Sequence, residues 1–258
     1  MQRTLIFPDV DQFPDSFRPL LQGCPVYDSS CSPDARVYFI DQGLYLKSAP
    51  AGTLAQEAAM TAYFHNKGLS AEVLQYLSTD QDWLLTRAVP GEDCTNSPYL
   101  EDPKRLSETL GTFLRQLHSI DPSDCPTDRI KTYVATAEQN FHAGIFAADF
   151  AATHLGYHNA EDAWRVIENG KHLLKQDVLL HGDYCLPNIL LNNWNFSGFI
   201  DVGNGGIGDR HIDLFWGIWS LGFNTKSDAY RDRFLDAYGR EDVEEEMFPI
   251  IRAFECFG

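Results

Sequence analysis

Short apolar runs separated by turn residues dominate the first third of the chain, a pattern that predicts β-strands. The runs cover residues 36–41, 44–48, 72–77 and 83–86. Gln42-Gly43 separates the first two runs and indicates a β-hairpin.

One segment of this region has helical spacing instead. Its apolar face comprises Leu54, Ala58, Thr61, Ala62 and Phe64. Thr53 and Gln56 match a capping box at its start, and Gly68 marks its end. Pro90-Gly91 then predicts a boundary between lobes. Residues 1–90 are therefore expected to form a β-rich N-terminal lobe with one helix.

After residue 103 the pattern becomes helical. Leu106, Leu110, Leu114 and Leu117 recur at helical spacing, and this helix is expected to end at His118. Further helical patterns cover residues 130–142, 160–175, 211–221, 227–238 and 243–255. Residues 177–208 interrupt them with short apolar strands. The prediction is an α+β fold whose second lobe, residues 91–258, is mostly helical.

Composition and charge restrict the possible partners. The chain has 258 residues, 44% of them hydrophobic, which is typical of a globular protein. Lys and Arg number 20 and Asp and Glu 37, so the formal net charge is −17. Such a surface repels nucleic acid and anionic lipid, and it suits a cationic small molecule. Solubility alone would also account for the charge.

The expected location is the cytoplasm. The apolar residues 5–7 are broken by Pro8 and do not form an export signal. The longest apolar stretch, residues 214–223, is shorter than the roughly 20 residues that a membrane helix needs. Six cysteines without a C-x-x-C pair are expected to be reduced thiols.

The segment 177–208 carries the candidate chemistry. Asp183 and Asn188 lie five residues apart in a polar loop, and Asp201 follows after the next two strands. One carboxylate (Asp201) and one amide (Asn188) are a suitable protein contribution to a Mg²⁺ site, because Mg²⁺ prefers oxygen ligands and keeps several water or phosphate oxygens. Asp183 then remains to orient a hydroxyl group and accept its proton. Phosphoryl transfer needs chiefly such positioning and charge neutralisation.

These motifs resemble a known family. His181-Gly182-Asp183-x-x-x-x-Asn188, followed by Gly198-Phe199-Ile200-Asp201-x-Gly203, resembles the catalytic and metal-binding segments of protein kinases. The resemblance is closer to the aminoglycoside phosphotransferases, and closest to their 3′-phosphotransferase branch. It extends over most of residues 25–257. It implies a protein-kinase-like two-lobed fold, ATP and Mg²⁺ as cofactors, and transfer of phosphate to the 3′-hydroxyl of an aminoglycoside, which gives antibiotic resistance.

The resemblance also assigns residues to the nucleotide. Lys47 matches the strand lysine on the α- and β-phosphates, with Glu57 on the predicted helix as its partner. Tyr45 matches an adenine-stacking tyrosine. By the same resemblance, Ser30 and Ser32 are candidates for the phosphate loop. Residues 86–88 match the hinge, in which the backbone of Thr86 and Ala88 would offer hydrogen bonds to adenine. A surface ion pair and a plain polar turn are the alternatives for the lysine pair and the serine loop.

The match weakens on the substrate side. By resemblance, Asp149, Glu255 and Phe257 are expected to contact the substrate. Asn204 replaces an arginine that is usual in the family, and residues 219–224 replace charged groups with aromatic and polar ones. A less cationic, flatter or more restricted substrate would fit these changes. Acidic residues at 241–246 could otherwise compensate.

Three other functions remain open at this stage. The chain could phosphorylate another small hydroxyl compound, such as a sugar, a choline-like molecule or a macrolide. It could be a protein kinase, although no A-P-E-like segment follows Asp201. It could also be a catalytically silent nucleotide-binding protein, against which the presence of Lys47, Asp183, Asn188 and Asp201 argues. We expect a monomer or a weak dimer.

Overall fold

The computed structural model describes residues 3–31 and 33–258, which form two compact units. The first unit comprises Met1–Asp93 and Pro187–Gly203, and the second comprises Cys94–Leu186 and Asn204–Gly258. The strands are β1 (Thr4–Ile6), β2 (Val26–Asp28), β3 (Arg36–Ile40), β4 (Leu44–Pro50), β5 (Val73–Ser78), β6 (Gln81–Arg87), β7 (Glu92–Asp93), β8 (Val178–Leu180), β9 (Ile189–Asn192), β10 (Asn195–Phe199) and β11 (Gly206–Gly208). The helices are α1 (Arg18–Leu21), α2 (Ala55–Asn66), α3 (Ser97–Leu100), α4 (Pro103–His118), α5 (Arg129–His142), α6 (Ala148–Phe150), α7 (Ala160–Gly170), α8 (Arg210–Thr225), α9 (Arg231–Tyr238) and α10 (Met247–Phe254).

The first unit is built on an antiparallel sheet with the strand order β1-β2-β3-β4-β6-β5. Strand β4 shows why the sheet has two different faces. Leu44 and Leu46 are buried in a hydrophobic cluster with Trp83 and Leu85, whereas Tyr45 and Lys47 are half-buried. Because side chains alternate along a strand, Tyr45 and Lys47 share the opposite face.

The helix of the first unit begins differently from the prediction. The capping box is wrong: the Thr53 hydroxyl donates to the Pro50 carbonyl oxygen at 2.7 Å, and the helical residues start at Ala55. The Leu54 N–H donates instead to Asp82 Oδ2 at 2.8 Å. The buried Asp82 side chain, on β6, takes the place that the capping side chain was expected to fill.

A three-stranded sheet, β10-β9-β7, completes the first unit. The antiparallel register pairs Ile189 with Phe199, and the Ile200 N–H donates to the Asn188 carbonyl oxygen at 3.0 Å. This pairing brings the residues before β9 and after β10 to the same end of the hairpin.

The second unit is mostly helical, with one short sheet of β8 and β11. Helices α4 and α9 approach closely at Gly111, where an added Cβ atom would lie 2.3 Å from the Phe234 carbonyl oxygen. A larger residue therefore cannot replace Gly111 without moving one helix. Within the described residues, no helix has the length and apolarity needed to cross a membrane.

The predicted α+β class with a protein-kinase-like fold is confirmed. The predicted strands and helices are present, some with shifted ends. The helix predicted over residues 160–175 ends at Gly170, and the one predicted over residues 243–255 begins at Met247. The hydrophobic pattern does not predict the strands β1, β2, β7 and β11. These strands have two or three residues, too few to show a hydrophobic period, and unlike β8 they are not a run of large apolar residues.

Candidate active site

A lysine between two carboxylates lies on the face of the main sheet against which α2 packs. Lys47 Nζ lies 2.9 and 2.7 Å from the two carboxylate oxygens of Glu57 on α2, and 3.2 Å from Asp201 Oδ1. Burial by itself would lower the pKa of Lys47, but the Asp201 and Glu57 carboxylates outweigh it and raise the pKa above its ordinary value. The ammonium group is therefore charged at neutral pH.

The predicted metal ligands lie at one end of the β9–β10 hairpin. Asn188 directly precedes β9 and is buried, and Asp201 lies two residues after β10 with its side chain 52% exposed. Asp201 has a φ of 54°, in the left-handed region that non-glycine residues seldom adopt. Such a conformation often occurs where a functional side chain must point in one direction. An amide and an exposed carboxylate beside an ammonium group fit a site for Mg²⁺ and phosphate.

The residues predicted to surround adenine lie on neighbouring strands. Tyr45 pairs with Thr86 across β4 and β6. The Ala88 N–H donates to the Gly43 carbonyl oxygen at 2.8 Å, and the Arg87 N–H donates to the Glu72 carbonyl oxygen at 2.9 Å. These two N–H groups have acceptors within the protein, and the assignment of Thr86 and Ala88 to the edge of adenine stays a prediction.

Ser30 holds its own loop together. Its hydroxyl oxygen accepts a hydrogen bond from the Val37 N–H at 2.9 Å, and its N–H donates to Asp28 Oδ1 at 2.9 Å. These bonds place Ser30 in the turn between β2 and β3 and make its side chain part of that turn. Ser32, the other predicted phosphate-loop residue, lies outside the described residues.

In the second unit, a buried carboxylate fixes the loop that carries Asp183. Asp213, near the start of α8, accepts hydrogen bonds from the N–H groups of His181 at 2.7 Å and Gly182 at 2.8 Å. Gly182 has a φ of 85°, and an added Cβ atom would lie 1.9 Å from the Asn204 carbonyl oxygen. Only glycine therefore fits this position.

His118 supports Asp213 from the end of α4. Its Nε2 lies 3.2 Å from Asp213 Oδ2, and its Nδ1 lies 2.9 Å from the Tyr238 hydroxyl. Burial lowers the pKa of the His118 imidazole, so the neutral form predominates. Since a carboxylate only accepts hydrogen bonds, Nε2 carries the proton and Nδ1 accepts from Tyr238.

Asp183 lines a cavity of about 510 Å³ in the second unit. The wall includes five aromatic side chains, those of Tyr133, Phe150, Trp216, Phe254 and Phe257. Two further charged side chains, Arg129 and Glu255, lie on it.

Glu255 is a cavity carboxylate with an unusual environment. The Tyr133 hydroxyl donates to Glu255 Oε1 at 2.6 Å. Burial raises the pKa of Glu255 to about 7, against the lowering effects of this hydrogen bond and of the Arg129 charge. Near pH 7 the side chain is therefore present in both its charged and its neutral form.

The three predicted substrate residues have different positions. Glu255 and Phe257 line the cavity, but Asp149 does not belong to its wall and is exposed on α6. Phe257 is only 1% exposed, and its carbonyl oxygen accepts a hydrogen bond from the Asn140 side chain at 2.6 Å. Its ring therefore acts mainly as packing behind the cavity.

Comparison with known proteins decides the family. A model described as the phosphotransferase enzyme family matches residues 33–249. The chain belongs to the phosphotransferase enzyme family. The resemblance drawn from the motifs is thereby confirmed.

Individual members of this family match most of the chain. A probable aminoglycoside 3′-phosphotransferase from Lactococcus lactis subsp. lactis strain IL1403 is 46% identical over 254 residues, 97% of each chain. An aminoglycoside 3′-phosphotransferase from Streptomyces fradiae is 28% identical over 228 residues, 83% of this chain and 85% of that relative. The crystal structure of an aminoglycoside-3′-phosphotransferase of type VIII superposes with a TM-score of 0.79 at 26% identity, covering 94% of this chain and 97% of that chain.

Several cavity residues of this phosphotransferase were missed from the sequence. Arg129, Tyr133 and Trp216 were not singled out, although all three face the cavity that Asp183 lines. Arg129 and Tyr133 lie one helical turn apart at the start of α5, and an arginine at a helix start looks like a solvated residue in the sequence. The Arg129 guanidinium carbon lies 5.2 Å from the centre of the Tyr133 ring.

Proposed function

We propose that this phosphotransferase moves the γ-phosphoryl group of ATP to the 3′-hydroxyl of an aminoglycoside antibiotic and so gives resistance to it. The proposal depends on one observation above all: 46% identity, over 97% of both chains, to a probable aminoglycoside 3′-phosphotransferase. The complete set of reactive side chains, Lys47, Asp183, Asn188 and Asp201, agrees with it.

The first unit supplies the groups for the nucleotide. Lys47, held by both oxygens of Glu57, is charged and can pair with the α- and β-phosphates. Tyr45, on the same sheet face, would stack on adenine, and backbone groups of Thr86 and Ala88 would contact its edge. Asn188 and Asp201 would hold Mg²⁺, which neutralises phosphate charge when it is bound. Residues 1–90 are proposed as the nucleotide-binding lobe and residues 91–258 as the catalytic and substrate-binding lobe, of which residues 187–203 pack within the first unit.

The second unit supplies the groups for the acceptor. Asp183 lies on a loop that Asp213 fixes through two backbone hydrogen bonds, so its carboxylate has a defined position beside the cavity. There it can orient the acceptor hydroxyl and take its proton as the oxygen attacks phosphorus. Glu255 can pair with an ammonium group of the antibiotic. A phosphate added to the sugar would then oppose binding of the drug to anionic ribosomal RNA.

Kanamycin and tobramycin provide the decisive comparison, because tobramycin keeps the cationic scaffold and lacks the 3′-hydroxyl. We expect ADP release with ATP, Mg²⁺ and kanamycin, and none above background with tobramycin. Equal release with both antibiotics would exclude 3′-transfer. No release with either, from protein that binds ATP, would reject the aminoglycoside as substrate and leave the kinase chemistry in place.

A second candidate function follows from the cavity wall. Its charged groups are two carboxylates and one guanidinium, Asp183, Glu255 and Arg129, among five aromatic rings. Such a wall offers few partners for a molecule with several ammonium groups, and it favours a smaller or flatter hydroxyl compound. A panel of sugars, choline-like alcohols and macrolides in the same ADP-release experiment would identify such a substrate.

A further inference from the structure

Arg3, next to the first strand of the sheet, contacts the tyrosine proposed to stack on adenine. Its Nη2 donates a hydrogen bond to the Tyr45 hydroxyl at 2.7 Å. Its guanidinium carbon lies 3.5 Å from the centre of the Phe39 ring and 5.6 Å from that of Tyr45. One planar cation therefore stacks on one ring and holds the hydroxyl of the other.

The strand register explains why these residues meet. One row of cross-strand pairs runs from β1 to β4 and comprises Leu5 with Tyr27, Tyr27 with Phe39, and Phe39 with Tyr45. Arg3 lies two residues before Leu5, and alternate residues of an extended chain point to the same side. Arg3 therefore reaches the sheet face that carries Tyr45 and Lys47.

Among the residues that the structure describes, the Tyr45 hydroxyl has one hydrogen bond, the one that Arg3 donates. The Phe39 and Tyr45 ring centres are 5.1 Å apart with a tilt of 54°, so packing supports one side of the Tyr45 ring. Phe39 is only 8% exposed, and the exposed Arg3 guanidinium lies over its ring within cation–π distance. The hydrogen bond to the hydroxyl then restricts rotation of the Tyr45 side chain.

We propose that Arg3 is a positioning residue for the nucleotide, acting through the Tyr45 hydroxyl to hold that ring ready for adenine. This inference rests on the proposed function, in which Tyr45 stacks on adenine. A ring that is already fixed loses less conformational freedom when the nucleotide binds, so affinity is higher. If Arg3 instead occupied the space of the adenine base, removing its side chain would strengthen nucleotide binding.

A double-mutant cycle on ADP affinity, measured by isothermal titration calorimetry on the full chain, tests the proposal. We expect Arg3→Ala and Tyr45→Phe each to weaken ADP binding about five-fold, on the order of one hydrogen bond. The double variant is expected to bind no more weakly than Tyr45→Phe alone, because both changes remove the same contact. Arg3→Lys keeps the charge but cannot stack and donate through one planar group, so its affinity is expected to be intermediate.

The steady-state constants give a second measurement, which a general loss of stability would not reproduce. Arg3→Ala should raise the KM for ATP about five-fold and leave kcat and the KM for the acceptor unchanged. Arg233→Ala is the matched control, because it removes an arginine from an exposed ion pair with Glu108 in the other unit. It should change none of these constants.

Each outcome has a definite meaning. ADP affinity that is unchanged or higher in Arg3→Ala would overturn the inference, and so would losses that multiply in the double variant. If the wild-type protein binds neither ADP nor ATP, the proposed function fails, and this inference fails with it. If the wild-type protein binds ADP and Arg3→Ala binds it with the same affinity, the inference about Arg3 is overturned and the proposed function stands.

Discussion

Asp183 shows how much of a residue's function depends on the backbone that carries it. The carboxylate lies on a loop whose preceding N–H groups, from His181 and Gly182, are bound by the buried Asp213 side chain. Gly182 adopts a positive φ against Asn204, which leaves no space for another residue. If Asp183 is the proton acceptor, as we propose, a loop fixed in this way does not need to be ordered by the substrate, and such positioning favours phosphoryl transfer.

Replacing Asp183 should therefore affect turnover and leave nucleotide binding intact. We expect Asp183→Ala to lower kcat by about 10³-fold or more, since it removes both the proton acceptor and the alignment of the hydroxyl. ADP affinity, which we assign to groups of the first unit, should stay at the wild-type value. ADP-release kinetics and calorimetry on the same preparation measure the two quantities. Wild-type turnover in this variant would remove Asp183 from its role.

Glu255 should make the stability of the protein depend on pH. Burial raises its pKa from an ordinary 4.5 to about 7, so the folded protein holds this proton more tightly than the unfolded chain. The stabilisation from the neutral form is complete below about pH 4.5 and is lost as the pH rises through 7. Glu255→Gln keeps a neutral side chain at every pH, so its melting temperature relative to wild type should rise from pH 5 to pH 8. Parallel melting curves for the two proteins would contradict this assignment.

At the scale of elements, the start of α2 is controlled by a strand rather than by the helix's own sequence. Burial alone would raise the pKa of Asp82, but hydrogen bonds from Ser78 and from the backbone N–H groups of Gly52 and Leu54 outweigh it and lower the pKa to about 2. The carboxylate is therefore ionised throughout the neutral range. It joins β6 to the helix that carries Glu57, and thereby contributes to the position of the Lys47 ammonium group.

Removing this carboxylate should loosen the helix start. We expect Asp82→Ala to lower the free energy of unfolding by about 2–3 kcal/mol, because buried N–H groups lose a charged acceptor. Thr53→Ala is the matched control: its hydroxyl donates to Pro50 and caps no helical N–H, so the expected loss is below about 0.5 kcal/mol. Urea unfolding followed by circular dichroism measures both variants. A larger loss of unfolding free energy in Thr53→Ala than in Asp82→Ala would indicate that Thr53 caps the helix after all.

At the scale of the whole molecule, the formal net charge of −17 should act on substrate binding. A cationic aminoglycoside is attracted to such a protein, and salt screens the attraction, with a Debye length of about 10 Å at 0.1 M. We expect the KM for kanamycin to rise several-fold between about 20 and 200 mM NaCl, with kcat unchanged.

ATP provides the control for this experiment, since it is an anion and the same net charge repels it. Its KM should fall or stay constant over the same range of salt. A rise in both KM values would indicate a general effect of salt on the protein, and a constant KM for kanamycin would show that long-range charge does not contribute to its binding.

The sequence by itself determined the outline of the fold and singled out the candidate side chains of the first unit. Asn188 and Asp201 are predicted from residue type and spacing, because a tight hairpin fixes the relative positions of residues that are near each other along the chain. Lys47 is assigned by its resemblance to the strand lysine of the family. The alternation around Leu44–Pro50 likewise placed Tyr45 and Lys47 on one face.

Only the tertiary structure decided which distant residues meet. Asp82 reaches Leu54 across 28 positions, Arg3 reaches Tyr45 across 42, and Tyr133 reaches Glu255 across 122. No local pattern marks these pairs, since hydrophobic periodicity reports which face of an element is buried and not which partner covers it. Three features therefore depend on the tertiary structure. They are the helix cap, the cavity with the raised Glu255 pKa, and the contact between Arg3 and Tyr45.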